Sequence, residues 1–168
     1  SLVGSEMCIR DSFKAQYAID SGSKELLLTS QDNGAFGADT GTSLENLLME
    51  LSHLDGKFRL RVGMLNPMLV AGRSHEMAKA WGDPRTYKFM HLPIQSGSQK
   101  ILDSMVRDHT LEEFWEVVTV FREHYPEMMI ITDVITGFPG ETDEDHQETI
   151  NLLEELLPDL VNVTRFSP

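Results

Sequence analysis

The sequence predicts an α/β fold: parallel strands with helices outside, as an open sheet or a partial (β/α) barrel. Three observations carry this. Five short β-type runs begin at intervals of roughly 30 to 40 residues, the spacing of a βαβ unit. Helical periods fill the gaps between them. One face of three of the runs is polar, although a parallel strand covered on both sides should be apolar on both. The 168 residues make one domain, long enough to bury roughly 68–70% of the unfolded surface.

The elements follow in order. Phe13–Ser21 reads as the tail of a helix, with Gly22 available as its left-handed terminus. The β-type runs are Leu26–Ser30, Phe58–Met64, Lys88–Gln95, Met129–Gly137 and Val161–Phe166. Leu44, Leu47, Leu48, Leu51 and Leu54 form a helical stripe, with Thr42 and Glu45 in capping-box spacing before it. Asn66-Pro67 is an N-cap followed by proline at the first helical position. A short helix marked by Ile101, Leu102, Met105 and Val106 opens near Ser98. A longer one carries Phe114, Val117, Val118 and Phe121, with Thr110 and Glu113 as capping box and Pro126 beyond its end. Thr142 and Asp145 open the last helix, whose stripe is Ile150, Leu153, Leu156 and Leu157, and Pro158 stops it.

Composition excludes several classes. No apolar run approaches the roughly 20 residues a membrane helix needs, and the location expected is cytoplasmic. Lys plus Arg is 14 against 27 Asp plus Glu, a net charge of −13. This piece alone is therefore not expected to grip a phosphate backbone. One cysteine excludes a disulfide framework, and also a cluster or Cys-type zinc site built from this chain alone. Residues 1–12 show no strand or helix period and hold Cys8; they read as a leader that is non-native or disordered, and the domain as residues 13–168. Both ends look cut, which reads as an internal fragment of a longer protein.

Alternation sorts the strand residues into faces. Met90, Leu92 and Ile94 oppose His91, Pro93 and Gln95. Leu60, Val62 and Met64 oppose Arg59, Arg61 and Gly63, and Ile130, Thr132 and Val134 oppose the face with Asp133. A polar face that does not meet solvent is a pocket or a satisfied internal network. The strands end in Gln31-Asp32-Asn33-Gly34, Asn66, Gln95-Ser96-Gly97-Ser98 and Gly137-Phe138-Pro139-Gly140-Glu141, where α/β enzymes bind ligands. Taken singly each feature has a plain structural reading. His91 fits a hydrogen-bonded core histidine, Arg61 with Asp133 a buried ion pair, and Ser96-Gly97-Ser98 a loop and cap. No dinucleotide fingerprint, phosphate loop or nucleophile elbow occurs.

The ordered set is more specific. Thr29-Ser30-Gln31-Asp32-Asn33-Gly34-Ala35-Phe36-Gly37, Arg61-Val62-Gly63-Met64-Leu65-Asn66-Pro67, His91-Leu92-Pro93-Ile94-Gln95-Ser96-Gly97-Ser98, Thr132 through Thr142, and Asn162-Val163-Thr164-Arg165-Phe166 follow in turn. Together they resemble the radical S-adenosylmethionine core of the tRNA methylthiotransferases. The Arg-Val-Gly-Met-x-Asn-Pro form is similar to the archaeal and eukaryotic branch, which acts on N6-threonylcarbamoyladenosine beside the anticodon. The resemblance implies a partial (β/α) barrel of the radical SAM type, with its first strand and cluster loop missing. It implies S-adenosylmethionine and a [4Fe–4S] cluster at the strand ends, a 5′-deoxyadenosyl radical, and a methylthio group installed on C2 of the adenine. The cluster's Cys-x3-Cys-x2-Cys ligands and the RNA-binding parts are absent here, so tRNA contacts would come from flanking domains and the fragment alone would be inactive.

The resemblance places Gln31 and Asp32 at the amino-acid end of the cofactor and Arg61 against its carboxylate. Gln95, Ser96 and His91 would face ribose or substrate, and Asp133, Thr136 and Phe138 would meet ribose and adenine. No catalytic residue or metal ligand is assigned within the chain, and the electron and sulfur donors stay unassigned. Two rivals stand beside it: another α/β-barrel lyase or hydrolase using His91 and Asp133 as acid and base, and a cluster-less barrel acting as a binding scaffold.

Overall fold

The computed structural model describes the backbone of residues 2–167 and the side chains of residues 9–167. Its first helix, α1 (Leu2–Asp20), starts well before Phe13, so backbone expected to lie outside the regular structure is helical. The reason is continuity: a nucleated helix extends at little cost, and neither Gly nor Pro occurs between Met7 and Asp20. The side chains of residues 1–8, Cys8 included, lie outside the described residues. The C-terminal half of α1 packs through Ala15 and Ile19. Gln16 holds both backbone groups of Asp55, donating to its carbonyl at 3.2 Å and accepting from its N–H at 3.1 Å. Gly22 closes the helix in the left-handed region, with Ser23 N–H bonded to the Ala18 carbonyl.

Strand β1 (Glu25–Leu28) pairs in parallel with β2 (Arg59–Val62). Strand β3 (Phe89–His91) pairs with β4 (Met129–Thr136), which pairs with β5 (Leu160–Arg165), again all parallel. Backbone bonds of Leu60 to Arg85 and Tyr87, and of Leu65 to His91, join the two sheets. The five predicted strands are therefore present, in chain order. Among the described residues they form a two-stranded and a three-stranded sheet rather than a closed barrel. Parallel strands in sequential order take every right-handed crossover to the same side, so the helices cover one face.

That face is the core. Helix α2 (Leu44–Ser52) buries Leu44, Leu47, Leu48 and Leu51 there, as its stripe predicts. Its cap differs from the predicted capping box: Ser43 accepts from Asn46 N–H, because Glu45 is taken by Arg73. Arg73 reaches both Glu45 oxygens at 2.8 Å, the Gly34 carbonyl at 2.7 Å and the Leu69 carbonyl at 2.8 Å. A buried carboxylate with a charged partner outweighs one capping bond. Asn66 caps the one-turn α3 (Pro67–Val70) as expected, and a separate helix α4 (Ser74–Ala80) follows it, a break that periodicity does not reveal. After α5 (Gln99–Ser104), α6 (Leu111–His124) has the predicted Thr110–Glu113 box and buries Phe114, Val117, Val118 and Phe121. Trp81 meets Phe121 edge-on at 5.4 Å beneath the strands. In α7 (Asp143–Leu156) the Thr142–Asp145 box also forms, but the buried side is Thr149, Leu152 and Leu156. Ile150 and Leu157, assigned to the stripe by apolarity, are exposed.

Candidate functional site on the open sheet face

The strand residues opposite the core leave a face that, among the described residues, no helix covers. Leu60, Val62, Met90, Ile130, Thr132 and Val134 are buried toward the helices, while Arg59, Arg61, His91 and Asp133 lie on the other side. The predicted division holds there. Thr132, polar yet fully buried, is satisfied: it donates to the Leu92 carbonyl at 2.8 Å and accepts from Ile94 N–H at 3.1 Å. On the open face His91 Nε2 stands 2.8 Å from Asp133 Oδ2, and the Asn162 amide donates to Asp133 Oδ1 at 2.7 Å. Three adjacent strands each give one group, and sheet register sets their spacing, since Asp133 pairs with Asn162. Asp133 therefore does not pair with Arg61, which rules out the ion-pair reading.

Arg61 differs further from expectation. Its guanidinium lies over the Phe89 ring, 4.3 Å from the centroid, beside Glu25, Lys88 and Glu127. That is the N-terminal end of β3 and β4, away from the strand ends where a ligand is expected. A long side chain on a twisted strand finds an aromatic face there, which strand parity cannot reveal. The strand ends instead gather other groups. A cleft of about 50 Å³ is lined by Asn66, Pro93, Gln95, Arg107 and His109, together with Met64, Leu65 and Pro67. Arg107, in this cleft, is an exposed cation, and Arg165 at the end of β5 is another. His109 Nε2 donates to the Ile94 carbonyl at 3.1 Å, and burial holds the imidazole below the usual histidine range. Neither Arg107 nor His109 sits in a periodic pattern, so only folding could bring them to Gln95.

Gln95 itself departs from the alternation. His91 pairs with Ile131, yet Gln95 bridges Val134, so three residues of one chain stand opposite two of the other. This is a bulge, placed where Pro93 has no N–H for the ladder. Gln95 takes φ +72, held by its N–H to the Asp133 carbonyl at 2.8 Å and by Ile135 N–H to its own carbonyl at 2.9 Å. A glutamine in the left-handed region is strained by about 1–2 kcal/mol, and such strain gathers at functional sites.

The other strand ends are braced loops. Asp32 Oδ1 accepts from Gly34 N–H at 2.8 Å and Asn66 N–H at 3.3 Å, tying the loops after β1 and β2, while Gln31 beside it is exposed. Ser96 does not reach the open face: it is fully buried, its hydroxyl accepting from Ser98 N–H at 3.1 Å and standing 3.3 Å from Thr149. After β4, the Glu141 carboxylate accepts from Gly137 N–H and closes the turn. Thr136, half-buried, accepts from Phe166 N–H at 2.8 Å through its carbonyl. Phe138 meets Phe166 edge-on at 5.0 Å, an aromatic wall at this end. A larger cavity, about 690 Å³, runs along the outer edge of β1 among Ala15, Leu26, Leu28, Phe36 and Leu44; its lining is mostly apolar, with Thr29, Ser30, Asp32 and Asn33 at the strand end. Among the described residues no group of three or more His, Cys, Asp or Glu could hold a metal, and no helix is long and apolar enough to cross a membrane.

Comparison with known proteins places this architecture. Over 153 residues the chain is 46% identical to the probable threonylcarbamoyladenosine tRNA methylthiotransferase of Pyrococcus horikoshii, covering 91% of this chain and 36% of that protein. The human threonylcarbamoyladenosine tRNA methylthiotransferase is 41% identical over 157 residues, 92% of this chain and 27% of that protein. The chain thus spans about a third of the curated relatives it matches. Coproporphyrinogen III oxidase of Escherichia coli shares the fold at TM-score 0.58 and 17% identity, over 86% of this chain and 32% of that one. The family model described as the Radical SAM superfamily matches residues 14–153, from the packed half of α1 into α7, and by that match the chain belongs to the radical SAM superfamily.

Proposed function

We propose that this chain is part of the catalytic core of a cytoplasmic tRNA-modifying enzyme, one that places a methylthio group on C2 of N6-threonylcarbamoyladenosine beside the anticodon. The observation that carries the reading is the identity of 40–46% to archaeal proteins of that name across nine-tenths of the chain. The superfamily uses S-adenosylmethionine and a [4Fe–4S] cluster, which when bound supply one-electron chemistry. The single cysteine does not fit a cluster held by three thiolates, so cluster ligands come from outside this chain and the chain alone is inactive. The open face does fit a nucleoside. Phe138 and Phe166 offer a ring for adenine to pack against, and His91, Asp133 and Gln95 offer polar atoms for ribose or base. Gln31, beside the braced Asp32, lies at the end of β1 for the amino-acid end, and Arg107 is the cation for a carboxylate there. With a net charge of −13, tRNA phosphates are bound by flanking parts of the protein.

The test uses the intact protein that contains this chain, reconstituted anaerobically and given tRNA bearing N6-threonylcarbamoyladenosine. Nucleoside mass spectrometry should find the methylthio product only with S-adenosylmethionine and reductant. Reconstituted cluster with no such product would overturn the substrate assignment. Product formed without S-adenosylmethionine would overturn the reaction class.

A further inference from the structure

The three-strand cluster on the open face has a directional hydrogen-bond pattern. The Asn162 side-chain nitrogen can only donate, so Asp133 Oδ1 must accept at 2.7 Å. An ionised carboxylate only accepts, so His91 Nε2, 2.8 Å from Asp133 Oδ2, must carry the ring proton. In the neutral imidazole Nδ1 then holds a lone pair. Among the described residues no partner bonds to it, and the His91 side chain is 26% exposed toward the uncovered face. Its neighbours there are apolar: Ile131 pairs with His91 and with Leu160, which is half exposed. An oriented acceptor beside apolar side chains selects for a ligand that donates an N–H or O–H, and it rejects analogues lacking that donor.

We infer that Asp133 fixes the tautomer of His91, with Asn162 orienting the Asp133 carboxylate, so that Nδ1 is presented as a hydrogen-bond acceptor for an amino or hydroxyl group of a nucleoside. This rests on the nucleoside-holding reading of the open face, and it adds the atom, its polarity and the residues that set it.

The network makes an unusual forecast for Asp133→Asn. With the Asn162 nitrogen still donating to position 133, the new amide oxygen turns toward it and the new amide nitrogen toward His91. Nε2 must then accept, and the ring proton moves to Nδ1, converting the presented acceptor into a donor. Asp133→Asn combined with Asn162→Asp reverses this: the amide nitrogen faces the new carboxylate, the amide oxygen faces His91, and the Nε2–H form returns. The measurement is long-range ¹H–¹⁵N correlation NMR of the histidines in the full chain and both variants, at about pH 8, where an ordinary imidazole is neutral. Expected are Nε2–H in the parent chain, Nδ1–H in Asp133→Asn and Nε2–H again in the double variant. An Nδ1–H ring in the parent, or a tautomer indifferent to Asp133→Asn in a variant whose other amide shifts stay native, overturns the relay. If Asp133→Asn does not fold, Asn162→Ala is the fallback; it should keep Nε2–H because Asp133 is unchanged, and loss of that form overturns the inference. Titration with adenosine should then move His91 Nδ1 in the parent, with affinity about tenfold lower in Asp133→Asn for the loss of one hydrogen bond. Correct tautomers with no response of Nδ1 to adenosine would overturn the nucleoside-holding reading while leaving the relay standing.

Discussion

Two polar clusters, one at the start of α7 and one across β3, β4 and β5, draw on similar residues yet differ in what they leave over. At the start of α7, Ser96, Ser98, Asp145 and Thr149 are all buried. Gly97 N–H donates to Thr149 at 2.9 Å, the Ser98 hydroxyl to Asp145 at 2.8 Å, and Lys100 to Asp145 at 2.7 Å. Every donor has its acceptor. On the open face, His91 and Asp133 are about a quarter exposed, and one imidazole nitrogen remains unused. A fully satisfied buried network fixes the position of a loop. A network that leaves an outward-facing atom unused presents that atom. The contrast separates scaffold from site among residues that look equivalent in the sequence, and it can be tested.

The largest effect belongs to the buried cluster. A Cβ at Gly97 would lie 2.5 Å from Thr149 Cα and 2.6 Å from the Glu148 carbonyl, both backbone. Gly97→Ala should therefore cost about 3 kcal/mol, as overpacking does, measured by urea denaturation; a cost below about 1 kcal/mol would mean that α7 is not pressed against this loop.

Acid is the next probe. The Lys100 ammonium, with the Thr142 N–H and Ser98 hydroxyl, holds the Asp145 carboxyl well below the usual carboxylate range. Its folded value is thus lower than its unfolded one, so the stability it contributes is present above about pH 4 and is lost as pH falls toward the folded value. Asp145→Asn should flatten the pH dependence of the melting temperature on the acid side. An unchanged acid slope would remove Asp145 from the scaffold. His109 adds to acid sensitivity through a shift in the same direction with a different cause. Kept neutral by burial, it favours unfolding once pH drops below the ordinary histidine value near 6.5.

Smaller effects are expected at the open face. Gln95→Gly relieves a left-handed φ and should raise stability by about 0.5–1 kcal/mol, the strain relieved less the added chain entropy, while removing an amide from the cleft. Thermal melts and cofactor titration of the intact protein should move in opposite directions; a variant that loses stability would show that the side chain, and not the strain, dominates there. Asn162 is exposed, and Asn162→Ala should change stability by no more than about 0.5 kcal/mol. A loss several times larger would make the open cluster a scaffold like the buried one.

Much of this was legible in the chain itself. The two capping boxes at Thr110 and Thr142, the Asn66-Pro67 start and the leucine stripe of α2 depend on residues within one or two turns, so local chemistry decides them. The faces of β2 and β4 followed from alternation, because a strand's period is fixed at two. Several of the readings that differed involve a partner distant in sequence. Glu45 left its capping position for Arg73, 28 residues on, Arg61 turned to Phe89, and Ser96 turned inward to Thr149. The extra residue before Gln95 in the ladder and its left-handed φ come from pairing with β4, which alternation does not foretell.

By itself the sequence determined the βα rhythm, the sequential parallel order and the family, since these rest on short-range periodicity and on ordered motifs that survive without coordinates. Only the tertiary structure decided which polar residues meet. The relay of His91, Asp133 and Asn162 spans 71 residues of chain, and its members come together because parallel register, set by the whole sheet, places one residue of each strand side by side.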